Sequence, residues 1–376
     1  MAKKKAASKK CKAVKKPPKL PKPSTPAGLI VPLDDVLIEE VKNMTLQEAG
    51  KLVDLHHNLQ DNRIKVGGAQ RSVQQGYDET LGWAINLFTR MYAIDKVRED
   101  QIAQALGIFA QQHEMGRWAM GICGIADIMS AGLLAHINMD LAKTPGHIYA
   151  YGGIAPGIRW IGSEKSKSIL KSEDVPSKSN AKVDTEKAMR VLAKGSEMSG
   201  VKLANLVGRA EAQDKDKNKL GYYTGSSLYK SLSRRPWNAE FKVLCWKIGE
   251  SFGMVKNNDK AVYGKILLQR KAEEILKNQN GAFAAQAAAI MDASPEHKQG
   301  KEFYSKGILS PAHIDSRAKR FTTKIFLSHW WEKAYEVKNG CKPPFQPYPI
   351  DHLGHVHKIE APNNVTGLGD ADDVVV

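Results

Sequence analysis

Cysteine is scarce in this chain of 376 residues: Cys11, Cys123, Cys245 and Cys341 are its four. They are too scattered for a paired metal site and too few for a disulfide framework, which predicts a reducing, intracellular setting. No run of about 18 apolar residues occurs, so no membrane-crossing helix is expected. Acidic residues are missing from the first 23 positions, which hold ten lysines. An apolar stretch is missing there as well, because prolines follow the lysines, and this excludes a secretory signal. The net charge is +16, so the start carries most of it and the other 353 residues share +6.

The lysine run gives way to P-P-K-L-P-K-P-S-T-P, and residues 1–32 are too poor in apolar surface to offset the entropy of ordering. They are expected to be a disordered Lys/Pro-rich tail that attaches to phosphate backbones in a salt-sensitive way. From Leu33 onward the periodicity is helical, and the expected fold class is all-α, a multi-helix assembly. Thr45-Leu46-Gln47-Glu48 has the form of a capping box, with Leu46, Ala49, Val53 and Leu59 at helical spacing behind it. Gly67-Gly68 is expected to kink this helix, and Tyr77–Met91 and Val97–Gln112 read as two more. Residues 33–115 are thus expected to form a helical bundle.

The stretch Gly116–Ile137 reads as the end of one helix, a glycine-supported turn over Gly121–Ala126 and a second helix from Asp127. Two short helices joined in this way make a helix-hairpin-helix, expected to span residues 116–160. Its turn offers backbone N–H groups and a helix N-terminus to a phosphate without reading bases. Gly121, Gly124, Ile125 and Ala126 are the candidate backbone contacts. The null is a hairpin that only packs in a core.

Residues 161–235 read as an insert: a polar, serine- and lysine-rich loop over 162–182, then short helices over Thr185–Ala193 and Val201–Ala212. Residues 230–247 hold Lys230, Arg234, Arg235, Lys242 and Lys247 against one acidic residue, Glu240. A basic helix start with Trp237 beside it suits phosphate contact, and a solvated face is the bland alternative. In the C-terminal helical region, 236–338, a helix is expected to break near Gly281 and another to run from Pro311 to about Val337. On the latter, Arg317, Lys319, Arg320 and Lys324 have no acidic residue between them. The candidate nucleic-acid-binding cations are Arg117, Arg159, Arg234, Arg235, Arg317, Arg320 and Lys324. Residues 339–376 are Pro/His-rich with an acidic end. There His352, His355 and His357 have a spacing that admits Zn²⁺, against a packed, hydrogen-bonded edge segment as the bland reading.

With these residues in place a resemblance emerges. Ile122-Cys123-Gly124-Ile125-Ala126, Ala131-Gly132-Leu133-Leu134-Ala135 and Gly153-Ile154-Ala155-Pro156 are similar to the turn, A-x-x-L-L-A helix and G-L-x-P pattern of the DEDD-type bacterial insertion-sequence transposases. Asn238, Phe241-Lys242 and Leu244 resemble the same family's G-N-x-x-L-R-x-x-L helix. Other segments, such as R-P-W-N and S-P-A-H-I-D-S-R-A, resemble phage and mobile-element proteins. The resemblance implies a DNA-holding domain. It places a nucleophilic serine near the proline, for which Ser163, seven residues past Pro156, is the candidate. Two departures matter: Ala126 stands where the turn has its second glycine, and no segment fits the strands of the acidic nuclease domain.

The function these observations imply is sequence-independent DNA binding, with RNA as another partner, by a transposase-like protein of a phage or mobile element. It would act in the cytoplasm, nucleoid-associated or in a host cell, alone, as a homo-oligomer or with a partner nuclease. No cofactor is expected. The alternatives are an active transposase or recombinase using Ser163 and Mg²⁺, and a structural or virion-associated protein that condenses DNA.

Overall fold

A computed structural model of the chain describes residues 33–75, 82–211, 222–293, 300–344 and 358–362. The lysine-rich tail and the candidate metal ligands His352, His355 and His357 lie outside them. Among the described residues there are fifteen helices and one pair of two-residue strands, an all-α architecture. No helix among them is long and apolar enough to cross a membrane.

The described residues fall into two compact units. The smaller comprises residues 56–75 and 82–101, taken from α2 (Leu46–Gln75) and α3 (Gly82–Gln112). The Arg63 guanidinium ties the two helices together, donating from Nε to Glu99 Oε1 at 2.6 Å and from an Nη to the Tyr92 hydroxyl at 2.8 Å. Gly67 does not kink α2. Its missing side chain makes room for the Tyr92 ring, 3.4 Å from where a Cβ would stand. The two separate helices expected over Tyr77–Met91 and Val97–Gln112 are one helix wherever the structure describes them, because Ala93 and Val97 continue its buried stripe.

The larger unit comprises residues 33–55 and 102 onward. It begins with α1 (Asp35–Lys42), capped by the Asp34 carboxylate. The expected capping box opens α2: Glu48 accepts from the Thr45 N–H at 2.8 Å and Thr45 Oγ1 from the Glu48 N–H at 3.2 Å. Val41, Ala49, Val53, Leu106, Phe109 and Ala131 form one small core. The main core joins α4 (Glu114–Met120), α5 (Asp127–His136) and α6 (Pro145–Tyr151) to three later helices.

Between them lies a module with its own core: α7 (Gly162–Lys171), α8 (Thr185–Ser199), α9 (Leu203–Glu211) and α10 (Gly225–Ser233). The strands β1 (Lys182–Val183) and β2 (Tyr223–Thr224) pair antiparallel within it. The polar loop expected over 162–182 is in its first half helix α7. Ser166, Ile169 and Leu170, spaced three and four apart, are buried, and the Ser166 hydroxyl bonds the Gly162 carbonyl at 2.6 Å.

The chain continues with α11 (Ala239–Val255), α12 (Val262–Gln279), α13 (Ala284–Ala293), α14 (Lys301–Tyr304) and α15 (Pro311–Asn339). The break expected at Gly281 separates α12 from α13. Asn238 caps α11, its side-chain oxygen accepting from the Phe241 N–H at 2.7 Å. The centre of the unit is aromatic: Phe326 lies against Phe252 (5.5 Å between centroids), Tyr263 (5.3 Å) and Trp118 (6.3 Å). Burying such rings is the largest single contribution to a core of this kind. It locks α11, α12 and α15 side by side and fixes the groove between α11 and α15.

Candidate nucleic-acid interface

The helical hairpin forms where the sequence places it, with α4 ending at Met120 and α5 starting at Asp127 behind Ala126. The middle of its turn packs inward, while Gly121 and Ala126 at its ends are exposed. The N–H groups of Gly121 and Ile125 bond the carbonyls of Arg117 and Ile122, at 3.1 and 2.9 Å. Gly124, at φ +101°, has its Cα so close to α11 that a Cβ would stand 3.1 Å from Phe252 and from Val255. Its carbonyl accepts from the Ser251 hydroxyl at 2.5 Å. Ala126 is exposed, but the Asp127 carboxylate stands next to it in the first turn of α5 and is turned toward Gly107. Arg117 spends one Nη on the Gln111 carbonyl at the end of α3, at 2.6 Å.

A different surface gathers the cations. Arg235 extends over the Trp160 ring, 4.9 Å from its centroid, and Trp160 is anchored by donating to the Ser233 carbonyl at 2.7 Å. Lys242, on the first turn of α11, puts its ammonium 3.9 Å from the centroid of Trp237. The same indole lies close to Gly153, at φ +62°, where a Cβ would come within 2.6 Å of the ring. Arg320 and Lys324 stand one turn apart on α15, and Lys324 lies 6.0 Å from the Tyr149 ring, whose hydroxyl bonds the Lys324 carbonyl.

These groups feel one another. Burial lowers the pKa of Lys242, and the charges of Arg235 and Arg320 lower it further. Burial and Arg320 lower that of Lys324. Burial and Arg234 do the same to Arg209 on α9, and burial and Arg317 to Arg320. Arg209 thus neighbours Arg234, and Arg235, Lys242, Arg320 and Lys324 neighbour one another in turn; Arg234 and Arg235, adjacent in the chain, join the two groups into one strip. None of these six, nor the exposed Arg159, pairs with a carboxylate among the described residues. Holding like charges together without counter-charges raises the energy of the free protein and favours a polyanion beside it.

The strip borders a groove of about 810 Å³ between α11 and α15. Lys242, Trp246 and Gly249 line one wall, and Ser316, Arg320 and Thr323 the other. Lys319 also points into it, but it is neutralised by Glu250 at 2.8 Å and Asp315 at 2.8 Å. His313 closes one end, its pKa lowered by burial and by Arg320 and Arg317, so it is neutral at pH 7.

Of the cations singled out from sequence, the structure brings Arg234, Arg235, Arg320 and Lys324 into one strip. It withholds Arg317, whose Nε bonds the buried Glu274 at 2.5 Å while its guanidinium covers Phe283. Lys242, named in sequence as part of the basic 230–247 run, joins them, and Arg209 and Trp246 are the additions. For Lys242 and Trp246 the signal is their spacing of four on α11, which places a cation and an aromatic on one face. Ser163, in the first turn of α7, exchanges a hydrogen bond of 2.7 Å with the Tyr229 hydroxyl. Among the described residues no three His, Cys, Asp or Glu side chains converge as metal ligands. No protein-family model, curated protein or solved structure matches the chain.

Proposed function

We propose that this protein binds DNA without reading its sequence, through the cationic strip along α9, α11 and α15, with the lysine-rich tail adding a second, diffuse attachment. The observation that carries the reading is the strip itself: six cations from three helices and the α10–α11 connection, mutually repelling, interleaved with Trp160, Trp237 and Tyr149. Cations alternating with aromatic faces are the chemistry of backbone-tracking nucleic-acid surfaces. In this reading the hairpin supports the surface by packing Gly124 on α11, and the phosphates meet side chains. The resemblance to the DNA-holding part of insertion-sequence transposases points the same way and suggests a mobile-element or phage setting. A strand-transfer role for Ser163 gains no support, since its hydrogen-bond partner is another hydroxyl and not a base.

The test is the salt dependence of binding to a short duplex, for the full chain and for Lys242→Glu and Arg320→Glu. Each reversal is expected to weaken binding and to reduce the slope of log K against log[salt] by about 1. Unchanged slopes in both would overturn the reading.

A further inference from the structure

We infer that the groove between α11 and α15 takes single-stranded nucleic acid, with one base stacked on Trp246. The inference rests on the DNA-binding reading above and adds the class of strand. Trp246 is 63 % exposed although it lines a concavity, and among the described residues no ring or cation covers it. The other indoles near the strip already carry a cation on the ring, Trp160 from Arg235 and Trp237 from Lys242, and Trp237 is also packed against Gly153. An exposed indole is costly in water and gains by stacking on a flat apolar surface.

Geometry adds the phosphate. Lys242 and Trp246 are four residues apart on α11, about 6 Å along the axis and on the same face. A phosphate held between Lys242 and Arg320 therefore leaves an adjoining base within reach of the indole. An unpaired strand can turn a base out of its own stack and into this groove, which a base held in a duplex does only after flipping. Glu250 on the same wall does not oppose this, because it pairs with Lys319, and Asp315, the other partner of Lys319, also pairs with Lys271, so the four groups carry no net charge.

The experiment compares oligothymidine, an abasic strand of equal length and a short duplex as ligands of the full chain. The variants are Trp246→Ala, Trp246→Phe and the double charge reversal Lys242→Glu/Arg320→Glu. Trp246→Ala is expected to lose about tenfold in affinity for oligothymidine, the size of one stacked base. It should leave the abasic strand and the duplex unchanged, and Trp246→Phe should recover most of the loss. The exposed position makes misfolding of either variant easy to exclude by an unchanged melting temperature. Three outcomes overturn the inference while the DNA-binding reading stands: Trp246→Ala binds oligothymidine as wild type does, it weakens all three ligands equally, or thymidine monophosphate binds as tightly as the oligonucleotide. If the double charge reversal leaves all three ligands bound as before, the DNA-binding reading itself fails, and the inference falls with it.

Discussion

Arg317 and Arg320 lie less than one turn apart on α15 and have opposite surroundings. Arg317 and Arg270 both bond Glu274, which is 1 % exposed, at 2.5 Å each. Burial by itself raises the carboxyl's pKa, but the hydrogen bond from Arg317 and the charges of both arginines outweigh it and hold the value below the ordinary one. Removing the carboxylate leaves Arg317 without a carboxylate partner and Arg270 with only the more exposed Glu273. Glu274→Gln is therefore expected to destabilise the fold by about 3–5 kcal/mol, read as the shift in urea unfolding. Arg320 has no such partner, and Arg320→Ala is expected to stay within about 0.5 kcal/mol of wild-type stability while weakening DNA binding. In sequence the two arginines looked alike, members of one basic stripe. What separates them is a carboxylate 43 residues away in the chain, at Glu274, and no local pattern announces that partner.

At the scale of elements, the turn of the helical hairpin was legible in its glycines, and the packing of Gly124 on α11 was not. Glycine at Gly124 satisfies two demands at once, a φ of +101° and a 3.1 Å approach to Phe252 and Val255. Close approach of a backbone to a phosphate and to a neighbouring helix leave the same residue behind. Gly124→Ala is expected to cost about 1–2 kcal/mol of stability in thermal or urea unfolding, the price of left-handed backbone for an alanine. Ala126→Gly, at an exposed position, is expected to leave duplex affinity as it is, and a clear gain in affinity would return the phosphate contact to the hairpin. Helix α7 was misread for a different reason. Its buried face contains Ser166 beside Ile169 and Leu170, and a serine that satisfies itself on the Gly162 carbonyl hides an amphipathic pattern. Helices α12 and α15 were readable because Gly281 and Pro311 mark their boundaries with positive φ and fixed φ respectively.

For the whole molecule, the all-α class followed from periodicity alone, whereas the strip did not, because α9, α11 and α15 meet only in the folded chain. Four histidines, His113, His136, His313 and His329, have pKa values lowered chiefly by burial. For a group lowered in this way the unfolded chain binds the proton first. Stability is thus fully present above the ordinary histidine value of about 6.5 and is lost as pH falls below it toward the folded values. The melting temperature is expected to drop between about pH 6.5 and 5. A second loss below about pH 4.5 is expected as Glu274 and Asp315, both lowered by their cationic partners against the effect of burial, take up protons. A melting temperature that is flat or rises from pH 7 to 5 would contradict the burial of these imidazoles. The lysine-rich tail complicates any binding experiment, since ten lysines bind polyanions whatever the folded part does. The most direct measurement is therefore duplex affinity against salt for a chain lacking residues 1–32, with and without Lys242→Glu/Arg320→Glu. The shortened chain is expected still to bind at low salt, and the double reversal to lower its slope by about 2. Loss of all binding on removing the tail, or an unchanged slope after the reversal, would contradict it.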